Sequence, residues 1–103
     1  MFSIVETTTN DIKVAELIRE NILNKKLSPC IQIISDISSS YIWNNKITTD
    51  NEYLVKIKAK SSNIKDITAL INKLHNYDNP ELISYIFTIE SNKYKSWFIE
   101  NSY

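Results

Sequence analysis

The chain of 103 residues contains no glycine, and this absence excludes several kinds of functional site. A P-loop and a dinucleotide-binding GxGxxG turn both need glycine where the backbone approaches phosphate groups. The G-x-S-x-G nucleophile elbow of many hydrolases is absent too. A hydrolase with His75 as general base remains an alternative, but no nucleophile can be identified for it. The sequence therefore gives no support for nucleophilic catalysis.

Cysteine and long apolar runs are equally scarce. Cys30 is the only cysteine, so no disulfide forms within one chain, and we expect a reducing compartment, the cytoplasm. No segment approaches the roughly 18 apolar residues of a membrane span, and the N-terminus does not resemble a signal peptide. Basic and acidic residues balance at 12 each. This balance argues against nucleic acid or a membrane surface as a partner.

The residues that are present predict alternating strands and helices. Residues 2–8 are rich in β-branched side chains and predict a first strand. Apolar residues recur at three- and four-residue steps over 9–26 and again over 61–76, which predicts two amphipathic helices. Thr9, Asn10 or Asp11 can cap the first helix, and Ser61 or Ser62 the second. Strict alternation over 51–61 predicts a half-buried strand. Residues 81–91 predict a last strand, which a short terminal helix follows.

This β-α-β-β-α-β order predicts an α+β fold of the ferredoxin-like type. The fold is a sandwich of one antiparallel sheet with two helices on one face. No repeat or linker interrupts the pattern, so we expect a single domain over residues 1–103.

The second strand is the unusual element, because its extended pattern covers residues 30–48. Strands usually have about three to ten residues. Either it forms a long hairpin with the third strand, turning at Asp50–Asn51, or it breaks around Ser38–Ser40 into two ordinary strands. A projecting hairpin exposes unpaired edges unless another chain covers them. The hairpin alternative therefore indicates an oligomer.

Two single-copy residues are candidates for a site. Cys30 opens the second strand and is a small core residue, a soft metal ligand or a reactive thiol. His75 ends the second predicted helix, on a connector that also carries Tyr77 and Glu81. It is a cation at a helix C-terminus, a partly buried hydrogen-bonding histidine, or a binding residue, since loops on rigid scaffolds often bind ligands.

The third strand offers another candidate. Lys56, Lys58 and Lys60 share one face of the alternating segment. They form either a solvated face that protects the sheet edge or, through Lys58, a contact for an anion.

Five pieces of the chain, in order, resemble the CutA divalent-cation-tolerance family. The segment KKLSPCIQII resembles the family's K-L-x-A-C-x-x-I, and SSSYIWNNKI resembles S-x-Y-x-W-x-G-K-I. The segment EYLVKIKAKSS resembles E-x-x-L-x-I-K-T-x-x-S, HNYDNPELI resembles H-P-Y-E-x-P-E-I, and YKSWF resembles Y-L-x-W-I. Each piece alone is weak, but together they cover nearly the whole chain.

The resemblance implies a homotrimer whose long hairpins pair with neighbouring subunits, an architecture that the family shares with PII-type signalling proteins. It implies a non-enzymatic role in tolerance of copper and other divalent cations. It also implies a cleft between subunits for a small ligand or metal ion, lined by Cys30, Trp43, Lys58, His75, Tyr77, Glu81 and Trp97. Within that set, Cys30, His75 and Glu81 are the candidate ligands for copper or zinc.

Some positions depart from the family pattern. In some bacterial relatives copper is attributed to two cysteines and a histidine beside the H-P-Y histidine. Cys30 matches one cysteine, but Thr7 and Leu74 stand at the other two positions. Asn45 replaces a glycine after the tryptophan, and asparagine tolerates the left-handed backbone angles that such a turn needs.

Overall fold

A computed structural model describes all 103 residues and places four strands in one antiparallel sheet. The elements are β1 (Phe2–Thr9), α1 (Ile12–Asn24), β2 (Cys30–Trp43), β3 (Lys46–Lys60), a 3₁₀ turn (Ser61–Asn63), α2 (Ile64–Leu74), β4 (Ile83–Phe87) and α3 (Asn92–Glu100). The sheet order β2-β3-β1-β4 confirms the ferredoxin-like plan, with the added helix α3 at the end. The last strand is shorter than predicted, because residues 88–91 leave the sheet before α3.

The core lies between the sheet and the helices α1 and α2. The alternating pattern of β3 turns Val55 and Ile57 toward the helices, where both are fully buried. Ile18 of α1 and Ile67 of α2 pack against them from the other side. The apolar faces that the sequence predicts for the helices and for the strand therefore pack together in one core layer.

The opposite side of the sheet, here called the open face, carries the alternate residues of each strand. Lys58 of β3 lies there, between its pairing partners Cys30 of β2 and Ile4 of β1. Helix α3 covers one end of the open face, where Phe98 packs edge-on against Phe2 at a centroid distance of 5.3 Å.

The hairpin of β2 and β3 is long, as the hairpin alternative predicted, and the alternative break at Ser38–Ser40 does not occur. Its turn lies at Asn44–Asn45, and the turn predicted at Asp50–Asn51 is wrong. Asp50 and Asn51 pair with β2 inside the strand instead. The hairpin gives the molecule its long axis of 46 Å, against 25 and 21 Å for the other two.

Four residues adopt left-handed backbone angles in a chain that has no glycine. Asn44 and Asn45 have φ of 50° and 62° in the turn, as expected for asparagine at the family's glycine position. Lys26 has φ of 55° just after α1, and Asp36 has φ of 60° where the register of β2 shifts. Such angles cost an L-residue roughly 1–2 kcal/mol.

The helix ends correspond only in part to the predicted caps. Asp11 caps α1, accepting a hydrogen bond from the Lys13 amide at 2.9 Å, which agrees with prediction. Ser61 and Ser62 were predicted to cap α2, and this is wrong because Ser61 begins the 3₁₀ turn. Its hydroxyl lies 2.6 Å from that of Ser3.

Candidate functional site

The connector from α2 to β4, residues 75–82, is fixed to the end of β1 by side-chain hydrogen bonds. Nε2 of His75 lies 2.9 Å from the carbonyl oxygen of Thr8. The hydroxyl of Thr9 donates to Oδ1 of Asn76 at 2.7 Å, and Nδ2 of Asn76 donates to Asn10. The polar residues of the connector are therefore held in place without belonging to a helix or strand.

Both ring nitrogens of His75 are occupied by its own chain. The backbone N–H of Tyr77 donates to Nδ1 at 3.0 Å, so Nδ1 carries no proton. Nε2 must then carry the proton that it donates to Thr8. Burial lowers the pKa of His75 below its ordinary 6.5, while the Thr8 carbonyl and the nearby Glu52 oppose that shift. The neutral imidazole has no free lone pair for a metal ion.

Tyr77 joins the connector to β3. Its hydroxyl donates to Oε2 of Glu52 at 2.7 Å, and its ring lies 4.9 Å from the ring of His75, centroid to centroid. Burial, and then the hydrogen bond to Glu52, raises the pKa of Tyr77. The three predicted residues of the connector, His75, Tyr77 and Glu81, thus all lie near Glu52, a carboxylate for which the sequence predicted no role.

Glu52 was missed although it opens the family-like segment EYLVKIKAKSS. It is only 7% exposed. The alternation of the strand predicts that Glu52 lies on the open face, but a glutamate on such a face ordinarily contacts solvent. Only the spatial position of Tyr77 makes this carboxylate part of the site.

Glu81 lies near two other carboxylates. Burial raises the pKa of Glu81, and the charges of Glu6 and Glu52 raise it further. Glu6 accepts a hydrogen bond from the hydroxyl of Tyr85 at 2.8 Å, and Nζ of Lys56 lies 3.9 Å from it. One lysine therefore faces three glutamates in this part of the open face, and the local charge is negative.

A second group of predicted residues lies farther along the open face. Cys30 and Lys58 are direct pairing partners on β2 and β3. Tyr94 of α3 reaches Cys30: burial, then a hydrogen bond to that side chain, raises the pKa of Tyr94 to about 12. Trp97 stacks on Tyr94 with ring centroids 5.5 Å apart. The structure thus brings Cys30, Lys58 and Trp97 into one neighbourhood.

Trp43 is separate from both groups. It is 60% exposed near the hairpin turn and pairs with Lys46. It lies thirteen positions after Cys30 along β2, which corresponds to roughly 40 Å of extended strand. The seven predicted cleft residues therefore do not form one site within a single chain.

The chain contains no group of three or more His, Cys, Asp and Glu side chains that could hold a metal ion. Cys30, His75 and Glu81 are thus not brought together as ligands within one chain. Thr7 points to the core beside Val55, on the sheet face opposite Cys30, and Leu74 packs against the same core. Two of the positions attributed to copper ligands in some relatives, Thr7 and Leu74, therefore lie against the apolar core in this chain.

None of the three helices is long and apolar enough to cross a membrane.

Known proteins resemble the chain in sequence and in fold. The CutA protein of Arabidopsis thaliana chloroplasts is 33% identical over 99 residues, which are 96% of this chain and 54% of that protein. The CutA homolog of Xenopus laevis is 33% identical over 91 residues, 88% of this chain and 60% of that protein. The chain thus spans little more than half the length of these relatives.

The structural comparison gives the same result. The crystal structure of CutA1 from Oryza sativa superposes with a TM-score of 0.93 at 28% identity, covering 99% of this chain and 94% of that one. A family profile described as CutA1 divalent ion tolerance protein matches residues 3–101. The chain therefore belongs to the CutA1 divalent ion tolerance family.

Proposed function

We propose that the protein is a non-enzymatic homotrimer that takes part in tolerance of, or response to, divalent cations such as copper, and that it acts in the cytoplasm. Family membership supports the cation role. The lone unpaired Cys30 suits a reducing compartment.

The long hairpin is the single observation that carries the trimer. Ile42 and Ile47 pair with each other near its turn and are 68% and 80% exposed. An exposed hairpin with free edges and an apolar tip is an aggregation hazard in a monomer. Pairing with neighbouring subunits covers it, and a closed ring of three copies leaves no edge unpaired.

A cleft between subunits follows from the same arrangement. Trp43 of one subunit, carried on the hairpin, then approaches the connector or the open face of another. We propose that this cleft accepts a metal ion or small ligand through the residues that face it: Cys30, Trp43, Lys58, His75, Tyr77, Glu81 and Trp97. Ligation of copper or zinc by Cys30, His75 and Glu81 requires groups from more than one chain.

A second candidate is a trimer whose polar cluster serves only the subunit interface, without direct metal binding. The occupied nitrogens of His75 favour it, because metal ligation at either nitrogen must first break a hydrogen bond.

Calorimetric titration with Cu²⁺ or Zn²⁺ separates the two. Direct binding predicts a saturable heat that Cys30→Ser and Glu81→Gln both weaken, with Cys30→Ser leaving the trimer mass unchanged. Glu16→Gln, an exposed glutamate in α1, is the matched control and should bind as wild type. Binding no tighter than millimolar would reject the direct metal site and favour the interface role.

A further inference from the structure

Glu52 lies at the point where β1 ends and the sheet narrows to a two-stranded arm. The pairing of β1 with β3 ends at Thr9 and Tyr53, and Glu52 is the next residue of β3. Beyond it only β2 and β3 continue, as the arm of residues 37–51. The partner of Glu52 on β2 is Ile37, the first arm residue.

The same point carries the irregularity of β2. The register shifts between Ile34 and Ile37, and Asp36 adopts φ of 60° there. A bulge of this kind bends the strand and increases its twist. The ladder of backbone hydrogen bonds is interrupted at the base of the arm, so other contacts must help to set the direction of the arm.

Tyr77 supplies such a contact. It donates to Glu52, whose side chain takes part in neither of the two salt bridges of the chain. A buried carboxylate that has no cation partner depends on hydrogen-bond donors. Tyr77 is itself held on a connector that His75 and Asn76 tie to the end of β1. The hydrogen bond therefore links the rigid body of the sheet to the base of the arm.

We propose that Glu52 is a positioning residue that acts through Tyr77 to fix the direction in which the arm leaves the sheet. The connector and the arm are then mechanically coupled, and a change at Tyr77 reaches the arm. This coupling goes beyond the proposed function and does not require it, because all of its contacts lie within one chain.

Amide hydrogen exchange of the full-length chain tests the coupling, with arm amides 37–51 compared with body amides 54–60 in the same sample. Tyr77→Phe should raise the exchange of the arm at least fivefold relative to the body. Glu52→Ala should do the same, and adding Tyr77→Phe to it should have little further effect. Glu52→Gln, which keeps a hydrogen-bond acceptor, should restore most of the protection of the arm.

Tyr85→Phe is the matched control. It removes another tyrosine–glutamate hydrogen bond of the open face, that with Glu6 at 2.8 Å, but within the four-stranded body. It should leave the arm-to-body ratio at the wild-type value. An unchanged ratio in Tyr77→Phe, or an equal rise in Tyr85→Phe, would overturn the proposal. Cation titration and mass are separate readouts, so failure of the proposed function does not decide this test.

Discussion

The backbone amide of Tyr77 donates to Nδ1 of His75 across 3.0 Å, two residues away in the chain. This short contact fixes the tautomer, because only Nε2 is left to carry the proton that reaches Thr8. The only histidine of the chain thus secures the connector to β1 in its neutral form. A metal-binding role for it begins with the loss of one of these contacts.

The pH dependence of stability should reveal this neutral state. The folded-state pKa of His75 lies below its ordinary value of 6.5, chiefly through burial. Below about pH 6.5 the unfolded chain takes up a proton that the folded chain resists, so the contribution of His75 to stability is lost as pH falls toward the folded-state pKa. Denaturant unfolding between about pH 7 and pH 5.5 measures this loss.

His75→Gln is the control for that experiment, because its amide can still donate to Thr8 but does not titrate. The stability of this variant should fall less than that of wild type over the same range. Glu81 affects the pH dependence of stability in the opposite sense to His75. Its pKa is raised above 4.5, so its contribution to stability is lost as pH rises through the folded-state pKa. Equal pH slopes for wild type and His75→Gln would contradict the assignment.

The hydroxyl of Thr7 is buried without a hydrogen-bond partner. Thr7→Val replaces it by a methyl group of similar size and should raise the free energy of unfolding by about 1 kcal/mol. Thr9→Val is the matched control on the same strand, since Thr9 binds both Asn76 and the Asp11 amide through its hydroxyl. It should lower stability by a similar amount. Chemical denaturation showing the reverse order would refute this account of the core.

Lys26 ends α1 in a left-handed conformation, with φ of 55°. The Leu27 amide donates to the Ile22 carbonyl and the Lys26 amide to that of Leu23, the Schellman pattern that usually carries glycine. Lys26→Gly should therefore stabilise the protein by roughly 0.5–1 kcal/mol. Lys25→Gly, at φ of −84°, should not. Thermal unfolding that ranks the two variants alike would contradict the prediction.

Glycine substitutions also test the position of the turn between β2 and β3. Asn45→Gly creates the preferred Asn-Gly pair in a two-residue turn and should stabilise the hairpin by up to about 1 kcal/mol. Asn51→Gly, at the position where the sequence predicted the turn, lies within β3 and should destabilise it. Denaturant midpoints of the two variants decide this, and a stabilising Asn51→Gly would place the turn elsewhere.

The turn was misplaced for a physical reason. Without glycine, the usual turn signal is absent, and two polar pairs compete along the hairpin. Asn44–Asn45 forms the turn because asparagine tolerates left-handed angles. Asp50 and Asn51 instead belong to β3, where they pair with Ser39 and Ser38 of β2. Tertiary pairing overrode the local propensity of these residues.

The helices and the core were predictable because their signals are periodic. Ile18 belongs to the repeating apolar pattern of α1 and Ile67 to that of α2. Both residues are fully buried, as expected. The site was only partly predictable, since nothing local distinguishes Glu52 from a solvated strand residue. Its hydrogen-bond partner, Tyr77, lies 25 residues later in the chain.

The mass of the protein in solution at micromolar concentration tests the central claim most directly. The proposed trimer would cover the long exposed hairpin and form the proposed cleft between subunits. Light scattering or native mass spectrometry should give about 36 kDa, three times the 12.0 kDa of one chain. A stable monomer of 12.0 kDa would contradict the trimer and remove the inter-subunit cleft with it.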